Sequence, residues 1–241
     1  MVATLPIFLS AAALSLFFLR RWRSLEQEMR YTGLFWFFIA LIWLITTARS
    51  FATAFGYILS DALLFQYSQI MLMASLIFLS GRAALILTNN TWISRGIGIL
   101  YMVAALAGIW LTASEDVVFV NIHNFFITKY QLSEQALLVL KIMAFPLIAL
   151  ELLYILKNFL IMLIGGNLKD AAYSVNEKFS IRARIEIISS LSILFYFALT
   201  YYETMYAVGW YGIPIRLAHL LPILMANIGM IRNYFFSSAK T

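Results

Sequence analysis

"ALLVLKIMAFPLIALELLYILKNFLIMLI", residues 136–164, decides the fold. Only Lys141, Glu151 and Lys157 are charged in its length. About 20 apolar residues in a helix cross roughly 30 Å of hydrocarbon. An open strand cannot do so, because its unpaired backbone groups find no partner in lipid. The stretch therefore predicts a transmembrane helix with a carboxylate near its middle. Glu151 falls about 15 residues in, close to the midplane at ~1.5 Å of rise per residue. A charge at that depth costs at least roughly 2.5–3.5 kcal/mol, so such groups turn inward and find partners. Ala144, Ile148, Glu151, Ile155 and Asn158 share one stripe at spacings of three and four. The expected partner of Glu151 is a serine, a glutamine or Asn227 on another span. Pro146 frees the carbonyl of Ile142 and predicts a kink, and Lys157 points away from the stripe towards water.

The rest of the chain repeats this pattern. Of 241 residues 63% are apolar and 12% charged, with a mean hydropathy of +0.88, against about half and a quarter in soluble domains. Seven spans are predicted, at about 2–19, 33–55, 62–87, 92–113, 136–164, 185–207 and 214–236. The expected architecture is all-α, one polytopic seven-helix bundle with no separate soluble domain. Dyad alternation, the mark of a barrel strand, is missing.

The first span, "MVATLPIFLSAAALSLFFL", has no charged side chain before it and "RRWR" after it. A cleaved signal peptide carries its positive charge in front. The segment therefore reads as a retained anchor with its N-terminus outside. That orientation puts thirteen lysines and arginines inside, Arg20, Arg21, Arg23, Arg30, Arg82 and Arg95 among them, and leaves Arg49, Lys141, Lys129 and Arg216 outside. Positive loops face the cytoplasm, so the C-terminus is expected there too, in a cell membrane. The net charge of +6 then suits anionic lipids at the inner face and needs no nucleic acid.

Two connections carry more than a turn. Residues 114–135, with Val117, Phe119, Phe125 and Phe126 at their centre, are expected to lie on the membrane surface or cap the bundle. Residues 165–184 are mixed in charge and could dock a membrane or cytoplasmic protein. Phosphate-binding glycine patterns, zinc spacings and nucleophile elbows are missing from the sequence, and no enzyme activity or cofactor is expected. Cysteine is absent, which removes disulfides and thiolate sites. His123 and His219 fall in a loop and a helix, an arrangement that does not fit a bis-histidine haem.

Depth sorts the remaining polar groups. Arg49, Lys141, Glu203, Arg216 and His219 all fall in or near the outer third. Glu203 can neutralise one of the positive groups, so a surplus would favour a small anionic ligand from outside if they converge. The candidate ligand-binding residues are Arg49, Lys141, Glu151, Glu203, Arg216, His219 and Asn227. Serine and threonine stripes, such as Ser68, Ser75 and Arg82 in span 3, also fit ordinary helix packing, as do Ala104 and Gly108.

Three functions fit this pattern. One is a small seven-helix sensor or receptor-type module with a ligand site in its outer half. Another is a small-solute transporter with Glu151 as coupling group. The third is a non-catalytic scaffold subunit of a larger membrane complex. A retinal protein is excluded, since residues 214–236 contain no lysine for a Schiff base.

Overall fold

A computed structural model describes residues 4–114, 118–123, 127–165, 173–206 and 212–238, with side chains over 4–57, 59–114, 132–157, 159–160, 187–203 and 213–229. Its body is helical: α1 Thr4–Arg20, α2 Gln27–Ala54, α3 Ile58–Thr88, α4 Thr91–Ser114, α5 Glu134–Gly165, α6 Tyr173–Tyr206, α7 Gly212–Ala218 and α8 Leu220–Ser238. The helices α2, α3 (from Leu59), α4 and α5 (to Lys157) are long and apolar enough to cross a membrane. Three shorter apolar segments, Thr4–Arg20, Ile187–Glu203 and Ile213–Gly229, fall where the other expected spans lie. These features are consistent with a multi-pass membrane protein.

Local chemistry sets the turns. Gly56, at φ +77°, lets the chain reverse between α2 and α3 in a backbone region that disfavours side chains. Asn89 ends α3 in the left-handed region, its amide donating to the Leu85 carbonyl at 2.8 Å. Asn90 then caps α4, its Oδ1 accepting from the amides of Trp92 at 2.9 Å and Ile93 at 3.3 Å. Ser133 caps α5 by accepting from the Ala136 amide at 3.1 Å.

Consecutive helices from α1 to α6 are spatial neighbours; α6 then packs on α8, and α8 on α1, which closes the ring. The α3 helix also touches α5. Across the middle, Phe35 and Trp36 of α2 meet Phe197 and Tyr196 of α6, with ring centroids 6.1 Å apart in both pairs. Ile39, Met73, Leu76, Met143, Leu147 and Ile193 complete this core. Outside it, α4 presents Trp92, Leu100, Val103, Leu106 and Trp110 to the surroundings. So large an exposed apolar face suits lipid rather than water. Gly108 faces inward: a Cβ there would lie 2.6 Å from Met73 Sδ and 3.1 Å from Val139 Cγ1, so any larger residue must displace these side chains.

Three differences from the expected elements stand out. The connection 114–135 contains a short antiparallel hairpin, β1 Val118–His123 with β2 Ile127–Gln131, bulged between Phe119 and Asn121. The β2 strand lies against α2 and α3; Val117, Phe125 and Phe126 lie outside the described residues. Helix α6 starts at Tyr173 rather than near 185, because a helix continues through charged residues where a hydropathy reading stops. Part of the expected docking segment 165–184 is therefore helical, and residues 166–172 lie outside the described ones. The last expected span is split at His219, between α7 and α8. Pro222 explains the break: it has no amide to donate to the carbonyl of Ala218, and its ring crowds that carbonyl.

Candidate functional site

The hydroxyl stripes resolve first. Ser15, Thr32, Thr46, Thr47, Ser50, Thr53, Thr112 and Ser192 each donate to the carbonyl four residues back on their own helix. Ser68, Ser75 and Ser80 reach three residues back. Such back-bonding satisfies a buried hydroxyl without joining two helices. Ser94 of α4 is different, donating to the Gly81 carbonyl of α3 at 2.7 Å.

Charge, in contrast, joins helices at three places. The deepest place is occupied by Glu151. It faces the interior, as expected, on a buried stripe with Met143, Leu147 and Tyr154. Asn158 lies outside the described side chains, and Lys157 is exposed as expected. The partner is Arg82 of α3, whose Nη1 pairs with Glu151 Oε1. The two side chains are 1% and 2% exposed. Arg82 Nη2 also donates to Ser190 Oγ of α6 at 3.2 Å, so three helices meet here. Glu151 Oε2 and, one residue before Ser190, the hydroxyl of Ser189 are buried with no hydrogen-bond partner among the described residues.

This corrects two expectations. The partner is an arginine rather than a serine, a glutamine or Asn227. Arg82 is a buried structural charge, so it does not belong with the topology signals at the cytoplasmic surface. Its position six residues before the end of α3 gives it the look of a flanking charge. The glutamate that holds it inside lies 69 residues further along the chain. Asn227 works elsewhere, its amide nitrogen donating to the Ser10 carbonyl of α1 at 3.1 Å and the Ile223 carbonyl at 3.0 Å. The bond to Ser10 helps close the ring between α8 and α1.

The second place joins α2 to α3 beside the Gly56 turn. Arg49 Nε donates to Asp61 Oδ1 at 2.8 Å, and Asp61 is fully buried. The guanidinium also lies over the Phe65 ring, 5.1 Å from its centroid. Asp61 lies just before the expected third span, where a carboxylate reads as a loop residue. Depth and polarity together could have flagged it.

The third place lies at the same end, in α6 and α7. Arg216 Nε donates to Glu203 Oε1 at 2.6 Å. His219 Nδ1 is 3.9 Å from Glu203 Oε2 and 3.0 Å from the Ile215 carbonyl. A carbonyl can only accept, so Nδ1 carries a proton. Nε2 lies 3.3 Å from Thr200 Oγ1, which also points at the Tyr196 carbonyl at 2.9 Å. The hydroxyl has one proton for these two directions. In a neutral ring Nε2 accepts it; in a charged ring Nε2 donates, and Thr200 turns its own proton to Tyr196. Trp43 and Tyr196 stand edge-on to the imidazole, at 5.1 Å and 5.4 Å.

Family models, curated proteins and solved structures provide no match to this chain. Function has to be read from the three places themselves.

The expected outer pocket is thus only partly assembled. Glu203, Arg216 and His219 come together. Arg49 is paired with Asp61, a second acid that removes much of the anticipated positive surplus. Lys141 is half-buried on α5 and has no ion pair among the described residues. Glu151 belongs to a different set of helices. No group of three or more metal-binding side chains occurs among the described residues.

Proposed function

We propose that the chain is a seven-helix integral protein of the cell membrane, with its N-terminus and hairpin outside and its C-terminus in the cytoplasm. In this reading it is a non-enzymatic sensor or receptor-type module, and Glu203, Arg216 and His219 form its ligand-responsive element. One observation carries the reading. The Arg216 and Glu203 side chains are 14% and 23% exposed, while His219 behind them is 1% exposed and touches the aromatic core. A small carboxylate arriving from the hairpin end can take the Arg216 guanidinium in place of Glu203, since the two anions present the same oxygen pair. Glu203, once released, turns to His219, and the event reaches Trp43 and Tyr196. The break between α7 and α8 gives that movement a joint.

The test is a titration of the purified protein with a panel of small carboxylates, following its unfolding midpoint. Saturable stabilisation by one of them, lost in Arg216→Gln, supports the reading. Equal responses of the two proteins to every compound refute it.

A transporter reading has its own support in Glu151 Oε2, a buried carboxylate oxygen without a described partner. It requires uptake into proteoliposomes driven by a pH gradient and abolished in Arg82→Met/Glu151→Leu, which removes the carboxylate without stranding a buried charge. A scaffold reading draws on the way each ion pair joins neighbouring helices. Lysines and arginines at the other end would meet anionic lipid, and residues 165–184 a protein partner.

A further inference from the structure

Between Arg20 and Arg30, four arginines stand against Glu26 and Glu28. The chain there forms a single turn of tight helix, Trp22–Ser24, that links α1 to α2. Arg30 braces this turn. Its Nε donates to the Leu25 carbonyl at 3.0 Å and its Nη2 to the Arg23 carbonyl at 3.4 Å. The same guanidinium lies 5.9 Å from the centroid of the Trp22 ring. Ser24 ties the turn back through a 2.9 Å bond to the Arg21 carbonyl, and Leu25 roots it in the core. Arg21 folds over Phe17, 5.2 Å from its centroid. Arg20 and Arg23 are left exposed, and the ion pairs between described residues involve neither of them.

The turn ends an apolar helix, at the depth where acyl chains give way to headgroups, and the half-buried Trp22 is the aromatic residue favoured there. A phosphodiester is the anion most abundant at that level, and guanidinium forks match its oxygens. Arg30 uses its donors on the Leu25 and Arg23 carbonyls and so fixes the backbone that carries Arg23, while Arg20 sits on the last turn of α1.

We infer that the turn Arg20–Leu25 binds the phosphate of an anionic phospholipid headgroup through Arg20 and Arg23. The inference requires only that the chain lies in a bilayer. It does not depend on the sensor reading or on which leaflet this end faces.

The test uses the purified full chain in detergent, with short-chain phosphatidylglycerol, phosphatidylcholine and inorganic phosphate as probes. Bound lipid is counted by native mass spectrometry and the unfolding midpoint is followed in parallel. The expected result is preferential retention of phosphatidylglycerol. Its affinity should fall about fivefold for each guanidinium removed in Arg20→Gln and Arg23→Gln, the factor for one basic residue at an anionic surface. Arg30→Lys should also weaken retention, since it keeps the charge but cannot hold both carbonyls. Equal retention of the two lipids, or an unchanged preference in the Arg20→Gln/Arg23→Gln protein, would overturn the inference. Stabilisation by inorganic phosphate equal to that by phosphatidylglycerol would overturn the lipid assignment in favour of a free-anion site. Wild-type affinity in Arg30→Lys would remove the role of the braced turn.

Discussion

Arg82 and Glu151 form an ion pair inside the bundle although 69 residues separate them in sequence. Burying both ions together is tolerable because each removes most of the other's need for water. Burying one alone is not. The pair therefore constrains α3 and α5 more by the penalty of losing one partner than by its own attraction.

Glu151→Ala should destabilise the protein by about 3–5 kcal/mol, because it strands the Arg82 charge. Glu151→Gln should be damaging for the same reason, whatever hydrogen bond the amide recovers. The double change Arg82→Met/Glu151→Leu should restore most of the stability, since it removes both charges and keeps the volume. Unfolding measured in detergent for the four proteins gives the comparison. A double variant no more stable than Glu151→Ala and Glu151→Gln would contradict this account.

Asp61→Asn should cost about 1.5–3 kcal/mol, the range for a lost hydrogen bond to a charged group. Reversal of the charges in Arg49→Asp/Asp61→Arg should recover part of that loss. A thermodynamic cycle over Arg49→Gln, Asp61→Asn and the two combined measures the coupling, and a coupling near zero would mean that the pair does not fasten the α2–α3 turn.

Gly108→Val should destabilise by about 1–3 kcal/mol through overpacking against Met73 and Val139. Since the nearest obstacle is the flexible thioether of Met73, Met73→Ala in the same protein should relieve much of the strain. Thermal unfolding of both variants tests this, and an unaffected single variant would show that α3 and α4 can separate freely.

The proposed orientation is tested by single cysteines in this cysteine-free chain. Ser24→Cys and Gln135→Cys are suitable, since both positions are exposed; Ser133 is avoided because it caps α5. In intact cells an impermeant thiol reagent should label position 135 and leave position 24 unmodified. Labelling of position 24 alone would reverse the topology.

Much of the helical body was legible because lipid imposes a simple rule on long apolar runs. Glu151 was legible for the same reason: a carboxylate in such a run has to face inward. Its partner was not, since an arginine near a helix end reads as a flanking charge until the opposite helix is known. Asp61 escaped notice at a span boundary, where exposed and buried carboxylates look alike in sequence. Glu203, Arg216 and His219 share a depth that sequence can indicate. Whether Arg49 shares their direction as well depends on rotation about the helix axis, and Asp61 fixes that. The early start of α6 was hidden because hydropathy measures contact with lipid and says nothing of helicity beyond it.

The inward hydroxyls also bear on how the molecule can move. A serine bonded to the carbonyl of its own helix has no proton left to hold its neighbour. Most of these hydroxyls add nothing between helices, so polar resistance to sliding falls on a few points: Arg49–Asp61, Arg82–Glu151 and Arg216–Glu203, with the bonds from Ser94 to the Gly81 carbonyl, Gln66 to the Thr112 carbonyl, Tyr101 to the Met143 carbonyl and Asn227 to the Ser10 carbonyl. Loosening any one of these would weaken a single seam while the back-bonded hydroxyls kept their bonds. The friction in the bundle is local, and so are the places where a small push could be felt.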